Sequence, residues 1–426
     1  MGVFRVLPDF GMAYASTLAI SRDRSVAERL TGGILGFQAV LSVLTLVLCL
    51  VAGRHLYEGV AWAAVAILSL DLVFKSLKGT LRWVLKALER FDAEAVSLIA
   101  ERSLLLGFGV AVLASGRGVV ALCLVFAAVR LLETLVLGGY IHFRVLPLRP
   151  RYEPPLWWDL LRKGLPYAYA GAMITMIFDV DAVLLEAMRG AEEVGWYRAP
   201  VQVLGGLTLV PRILGYAFIP TMAALHATAP ATVSELYRRG CKYLLVAGLP
   251  VAAFGALEST RFVHLLFGPQ YAASAAAARL LLPATVFMFL SNFGETTLAC
   301  VNRWRTIVIV STATLVLNVM LNLMWIPRLG YIGSARATLA SEALYFVVGA
   351  VALRWYGLRA DWITSAWRPM AATAVFAATL WFGRGLPLLA VSALASLVFV
   401  AATFAFGVWD EKERGLIGGW WRRVAG

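Results

Sequence analysis

The sequence predicts an all-α polytopic membrane protein with about 12–13 transmembrane helices, the number of apolar runs long enough to span. Three observations carry that prediction. Hydrophobic residues make up 61% of the 426, only 15% are charged, and the mean hydropathy is +0.78. A soluble domain of this size could not bury that much apolar surface, and amphipathic stripes with charged faces are few. Apolar runs of about eighteen residues or more recur along the chain, the length that crosses a hydrocarbon core. Basic residues, finally, alternate between many and few from one loop to the next.

Taken in order, MGVFRVLPDFGMAYASTLAIS (1–21) lacks the basic n-region and cleavage site of a signal peptide. It reads as the later part of a span, carrying Arg5 and Asp9, and ends in the basic turn SRDRSVAER. Full spans are expected at 30–52, 59–80, 93–114 and 118–142. The Pro-rich, basic stretch PLRPRYEPPLWWDLLRKG (147–164) breaks the pattern. Its Trp157 and Trp158, followed by Arg162 and Lys163, suit a segment lying in the membrane interface. Spans resume at 164–188, 194–221, 242–258, 274–300, 306–326, 331–353, 364–383 and 386–408. The tail DEKERGLIGGWWRRVAG sets an aromatic pair beside arginines and is expected at the membrane surface. The expected division is 1–146, an N-terminal transmembrane lobe; 147–163, a cytoplasmic interfacial linker; 164–356, a C-terminal transmembrane lobe; 357–409, two additional transmembrane helices; and 410–426, a cytoplasmic tail.

Net charge is +13, carried by 32 Arg and 6 Lys against 25 acids. Because that charge sits in short loops, membrane orientation and anionic lipid headgroups account for it, and nucleic acid is not an expected partner. If the turn at 21–30 is cytoplasmic, the loops on its side hold 25 basic residues and the opposite loops six (Arg54, Arg117, Arg189, Arg261, Arg328 and Arg384). That bias places the protein in the cytoplasmic (inner) membrane with a cytoplasmic C-terminus. Cys49, Cys123, Cys241 and Cys300 stand singly, and four histidines are scattered, so neither a disulfide nor a metal site is expected. No cofactor motif and no enzyme signature such as a P-loop, nucleophile elbow or HExxH occurs.

Seven arginines are left inside the spans: Arg5, Arg102, Arg130, Arg198, Arg212, Arg279 and Arg336. Each costs about 2.5–3.5 kcal/mol at a helix centre on insertion scales, so they should face protein or water. Arg198, Arg279 and Arg336 lie near span ends and can snorkel. Arg130 stands three residues before Glu133 on one helical face, where mutual neutralisation would suffice. Arg212 has no acid in its own span, and Asp179, Asp181 or an anionic substrate would complete it. Arg212, Arg102, Arg130 and Arg198 are therefore candidate substrate-binding residues. The acids Asp181, Asp179, Asp71, Glu295 and Glu342 are candidates for coupling to protons or sodium ions, with interhelical hydrogen bonding as the purely structural alternative.

Several stretches resemble the oligosaccharide-lipid flippases of the multidrug/oligosaccharidyl-lipid/polysaccharide exporter superfamily. FDVDAVLLEAMRGAEEVGWYRAP (178–200) is similar to the family's opening of the second lobe, an Asp, two aliphatics, a turn and V-G-x-Y, at Asp181, Leu184, Leu185, Val194, Gly195 and Tyr197. FGPQY from Phe267 resembles its F-G-x-x-Y loop. NVMLNLMWIPRLGYIGSARATLASE from Asn318 to Glu342 resembles its N-x-x-x-N…I-P…G…G-x-A-x-A-T…S-E stretch, and Asp9-Phe10-Gly11 its D-F-G. The resemblance implies two pseudo-symmetric six-helix lobes around a cavity plus two C-terminal helices. Helix one and the start of helix two have no counterpart, and a gene start placed too late is the expected reason. The implied function is flipping of a polyprenyl-diphosphate-linked oligosaccharide for cell-surface polysaccharide synthesis, by alternating access, by a monomer. A peptidoglycan-precursor flippase or a multidrug exporter is the alternative within the superfamily. An integral-membrane polymerase or glycosyltransferase is disfavoured, because the longest outer loop, 258–273, is short and holds one acid, Glu258.

Overall fold

A computed structural model describes residues 20, 24–88, 90–225, 228–360, 362–411 and 413–415, without the side chains of 24, 163–178, 216, 220 and 362–364. The expected partial first span with Arg5 and Asp9, and the tail beyond residue 415, lie outside the described residues. Among the described residues the regular structure is helical, without a strand. The helices are α1 (Ala27–Leu56), α2 (Gly59–Ala87), α3 (Phe91–Ala114), α4 (Gly118–Arg144), α5 (Pro154–Arg189), α6 (Ala191–Leu207), α7 (Leu209–Leu225), α8 (Pro230–Phe267), α9 (Ser274–Cys300), α10 (Trp304–Leu329), α11 (Tyr331–Trp355), α12 (Trp362–Phe382) and α13 (Leu388–Ala405). Among the described residues ten helical stretches, with α6 and α7 taken as one, are long and apolar enough to cross a membrane.

Three boundaries differ from expectation for identifiable reasons. The span at 194–221 is two helices broken at Thr208. Pro211 has no N–H to give the carbonyl of Leu207, and at the break the Thr208 hydroxyl donates to the carbonyl of Gly205. The span at 242–258 is a 38-residue helix, α8, which Pro230 opens and Gly268 closes at φ +81°. Glu258 is therefore no loop acid; it is buried within α8, where Arg261 pairs with it at 3.2 Å. Lys78 and Arg82, tallied with a cytoplasmic loop, lie inside α2, because that helix runs on past its most apolar stretch to Ala87.

The chain divides into two compact units, Met1–Asp179 and Val180–Gly426. In the first, α2 packs on α1, α3 and α4, with Leu81, Leu85, Leu137 and Ile141 as the apolar contact of α2 and α4. The stretch after α4 is docked on α1. The Arg151 N–H donates to the Gly32 carbonyl at 2.9 Å, and Trp157 Nε1 to that of Gly33 at 2.9 Å. A Cβ on Gly36 would lie 2.3 Å from the Arg151 carbonyl oxygen, so the close approach requires glycine there. Trp157 is thus buried, while Trp158 is 68% exposed in the manner of an interfacial anchor.

The second unit is organised on α9, which packs against α6, α7, α8 and α11. Its most apolar stretch is 67% buried. Beyond α13 the chain folds back on α8, where Lys242 Nζ meets both oxygens of Glu413 at 2.6 and 2.7 Å. The Tyr243 hydroxyl and the Asp410 N–H donate to the same carboxylate. Burial disfavours the charged form of Glu413, but these donors outweigh it and hold the carboxyl below its ordinary range. A depressed folded pKa adds stability above the unfolded value and loses it as pH falls through the folded one. Wild-type protein in detergent should therefore melt earlier as pH drops below about 4.5, and Glu413→Gln should flatten that slope. Equal slopes would show that this contact does not couple to pH.

Candidate functional site

Two polar clusters lie inside the helical units. In the first unit, Lys78 and Arg82 stand one turn apart on α2, so both reach the same neighbours. Lys78 pairs with Glu101 and, at 3.1 Å, with Glu133. Arg82 pairs with Glu101 at 2.9 Å and with Glu133. Ser97 donates to Glu133 at 2.7 Å. Arg130 takes Asp71 at 2.7 Å. The expected Arg130–Glu133 neutralisation is thus corrected: Glu133 turns to α2, and Arg130 finds its acid there as well, because α2 packs along α4. Three cations meet three carboxylates, so the cluster carries no net charge. Arg102, next to Glu101, falls on the exposed side of α3. A cavity of about 400 Å³ between α3 and α4 reaches Glu101, Ser97 and Glu133 through walls such as Val96, Leu104 and Val136.

The second cluster is built differently. Asp181 on α5 is 2% exposed. Its Oδ2 accepts from the Tyr197 hydroxyl of α6 at 2.6 Å and from the Thr338 hydroxyl of α11 at 2.7 Å. Its Oδ1 accepts from Asn322 Nδ2 of α10 at 2.7 Å. That same nitrogen faces the carbonyl and Oδ1 of Asn318 at 2.9 and 3.1 Å, which fixes the amide orientation and leaves Asn322 Oδ1 buried without a hydrogen-bond partner. These three donors to Asp181 are all neutral. A carboxylate held this way can exchange a proton or small cation without breaking an ion pair, which the first cluster cannot do.

The turns at one end hold this site together. Glu193 of α6 accepts from the Tyr331 N–H at 2.8 Å, at the start of α11. Arg189 caps the last carbonyls of α10, reaching Pro327 O at 2.7 Å. Gly330, at φ +57°, leaves no room for a Cβ, which would meet Glu193 Oε2 at 2.1 Å. Glu193, Arg189 and Gly330 thus tie the ends of α5, α6, α10 and α11 together beside Asp181.

The remaining expected residues are dispersed. Arg212 is exposed on α7, and Asp181 is not its partner as sequence had suggested, since neutral donors fill its coordination. Asp179 and Arg198 are half-buried. Glu295 on α9 accepts from Tyr345 at 2.9 Å, and Glu342 on α11 accepts from Ser291 at 3.3 Å. Asp71 is bound to Arg130. Lys78, Arg82, Tyr197, Asn318, Asn322 and Thr338 were not expected as site residues. The i, i+4 spacing of the Lys78/Arg82 and Asn318/Asn322 pairs is the signal that marks a shared face.

This fold is similar to those of several solved helical membrane transporters. It is similar to a lipid II flippase, MurJ, in an inward closed conformation, with a TM-score of 0.77 at 10% identity, covering 100% of this chain and 90% of that one. It is also similar to an inward-facing multidrug resistance MATE family transporter, with a TM-score of 0.68 at 14% identity, covering 84% and 88%. A MOP superfamily transporter from Pyrococcus furiosus, described as having a binding pocket of reversed polarity, matches with a TM-score of 0.60 at 15% identity, covering 84% and 85%. The model of the polysaccharide biosynthesis protein family matches residues 1–226, and the chain belongs to that family. No curated protein matches it in sequence.

Proposed function

We propose that this protein is a flippase that carries a polyprenyl-diphosphate-linked oligosaccharide from the cytoplasmic to the outer leaflet for surface polysaccharide synthesis. The observation that carries this reading is the coincidence of a polysaccharide biosynthesis family model with a fold similar, over the whole chain, to a lipid II flippase. Transport is by alternating access, without covalent chemistry, and Asp181 is the coupling carboxylate that takes a proton or a sodium ion. Of the four candidate arginines, Arg212 and Arg102 are exposed and can meet a diphosphate, for which a guanidinium is a bidentate partner. Arg130 contributes through Asp71 instead, as a positioning residue.

The test is export in cells whose own copy is deleted. Arg212→Ala should lower surface glycan about tenfold or more at equal membrane abundance, the loss of one charge-assisted contact. Wild-type display would remove Arg212 from the mechanism. The similarity to a lipid II flippase favours one second reading, transport of a peptidoglycan precursor. Under that reading, deletion is lethal and surface glycan is unchanged.

A further inference from the structure

We propose that the second unit contains a proton path running from Asp181 toward the cytoplasmic side, with Glu342 and Glu295 as its two further carboxyl stations. The proposal rests on the coupling role given to Asp181 above and names the coupled ion as a proton.

The path follows one stripe of α11. Thr338, Ser341, Glu342 and Tyr345 are spaced three and four residues apart, so they share a face of that helix. At one end, Thr338 bonds Asp181. Ser341 accepts from Asn318 at 3.1 Å, and Asn318 is joined through Asn322 to Asp181. One turn further along, about 6 Å from Thr338 by helical rise, stands Glu342. Ser291 of α9 donates to it at 3.3 Å. Ser291 also lines a void of about 10 Å³ together with Glu295 and Tyr345, otherwise walled by apolar residues such as Leu290 and Leu353. A void of that size takes one water, and three polar side chains are enough to hold it. Tyr345 then donates to Glu295 and meets Ser311 of α10 at 3.1 Å.

The stations also step through the thickness of the unit. Asp181 lies nine residues before the turn at Gly190, about 13 Å from that end, whereas Glu295 lies five residues, about 8 Å, from the opposite end at Cys300. The titratable groups facing Glu342 are Asp181 and Glu295, and Tyr345 faces Glu295. Among the described residues neither Glu295 nor Glu342 has a cation as ion-pair partner; on the neighbouring elements Arg198 is half-buried and Arg336 is exposed. The transfers balance. A proton leaving protonated Asp181 goes to the Glu342 carboxylate. It passes from there by the Ser291 hydroxyl and the water to the Glu295 carboxylate, which releases it, each donor regaining the charge its acceptor loses.

Interhelical hydrogen bonding alone would also explain these acids, and the Gln variants separate the two accounts, because a Gln carbonyl still accepts from Ser291 or Tyr345. The full-length protein is reconstituted in liposomes with an entrapped pH dye, and proton entry is followed after an imposed pH step. Asp181→Asn should abolish the protein-dependent signal. Glu342→Gln and Glu295→Gln should each slow it about tenfold or more without lowering the melting temperature, and Glu342→Asp should restore part of the rate. Ser291→Ala, which leaves every carboxyl in place, should also slow it. Wild-type rates in both Gln variants with a silent Asp181→Asn would overturn the path and leave Asp181 as the coupling site. Identical rates in all chains would overturn both. A wild-type protein that conducts no protons and responds only to a sodium gradient would overturn the path, while Asp181 kept its coupling role.

Discussion

Asp181→Asn is expected to give a folded protein that exports little or no glycan. The folding half of that expectation follows from the hydrogen-bond inventory. An Asn Oδ1 at position 181 still accepts from Tyr197 and Thr338, which now sit at 2.6 and 2.7 Å. Its new NH2 would face Asn322 Nδ2, two donors opposed, and Asn322 can present its Oδ1 only by turning its amide and giving up the bonds to the Asn318 carbonyl and Oδ1. The cost is about 1–3 kcal/mol for each buried polar group left imperfectly satisfied. The functional half follows from charge. Asn cannot bind and release a proton, nor hold a sodium ion with a formal charge, so the ion gradient no longer biases the transport cycle. Coupling energies of about 1–3 kcal/mol correspond to roughly 5- to 150-fold, and export should fall within or beyond that range. Surface glycan measured at matched membrane abundance checks it, and undiminished export would remove Asp181 from the coupling role.

How legible this site was from sequence depends on what kind of signal each residue leaves. Asp181 stood out because one acid in an apolar run is costly, and its place in the D-x-x-L-L…V-G-x-Y pattern singled it out from Asp179. Tyr197, Asn322 and Thr338 left a weaker trace, since neutral polar residues are common in spans and only tertiary packing shows which share a partner. The spans themselves were readable at the apolar stretches and misplaced where helices outrun the hydrocarbon core. The continuation of α2 through Lys78 and Arg82 and of α8 through Glu258 are the instances. A hydropathy reading assigns a charged residue to a loop unless something neutralises it; the partners of Lys78 and Arg82 come from α3 and α4, and that of Glu258 is Arg261 on α8 itself. The Arg130–Glu133 pairing failed for the same reason. Spacing along one helix shows which side chains could meet, while the neighbouring helix decides which do.

The largest stability effect is expected at that first cluster. Lys78 is 5% exposed and serves two carboxylates, Glu101 and Glu133. Lys78→Met fills the same volume with an apolar side chain but leaves Arg82 and Arg130 against Asp71, Glu101 and Glu133, one uncompensated buried negative charge. Breaking a buried pair from one side costs about 3–5 kcal/mol, because the orphaned carboxylate cannot be rehydrated. The detergent-solubilised variant should show a sharply lowered melting temperature. Adding Glu101→Gln restores the balance, two cations against two acids, and should recover most of the loss. That non-additivity measures the network itself, since distant substitutions would simply add. Arg102→Ala, on the exposed side of the same helix, is the internal comparison and should leave the melting temperature almost unmoved. A Lys78→Met protein as stable as wild type would mean that water or lipid headgroups already screen the cluster, and the cavity between α3 and α4 is the route by which they would enter.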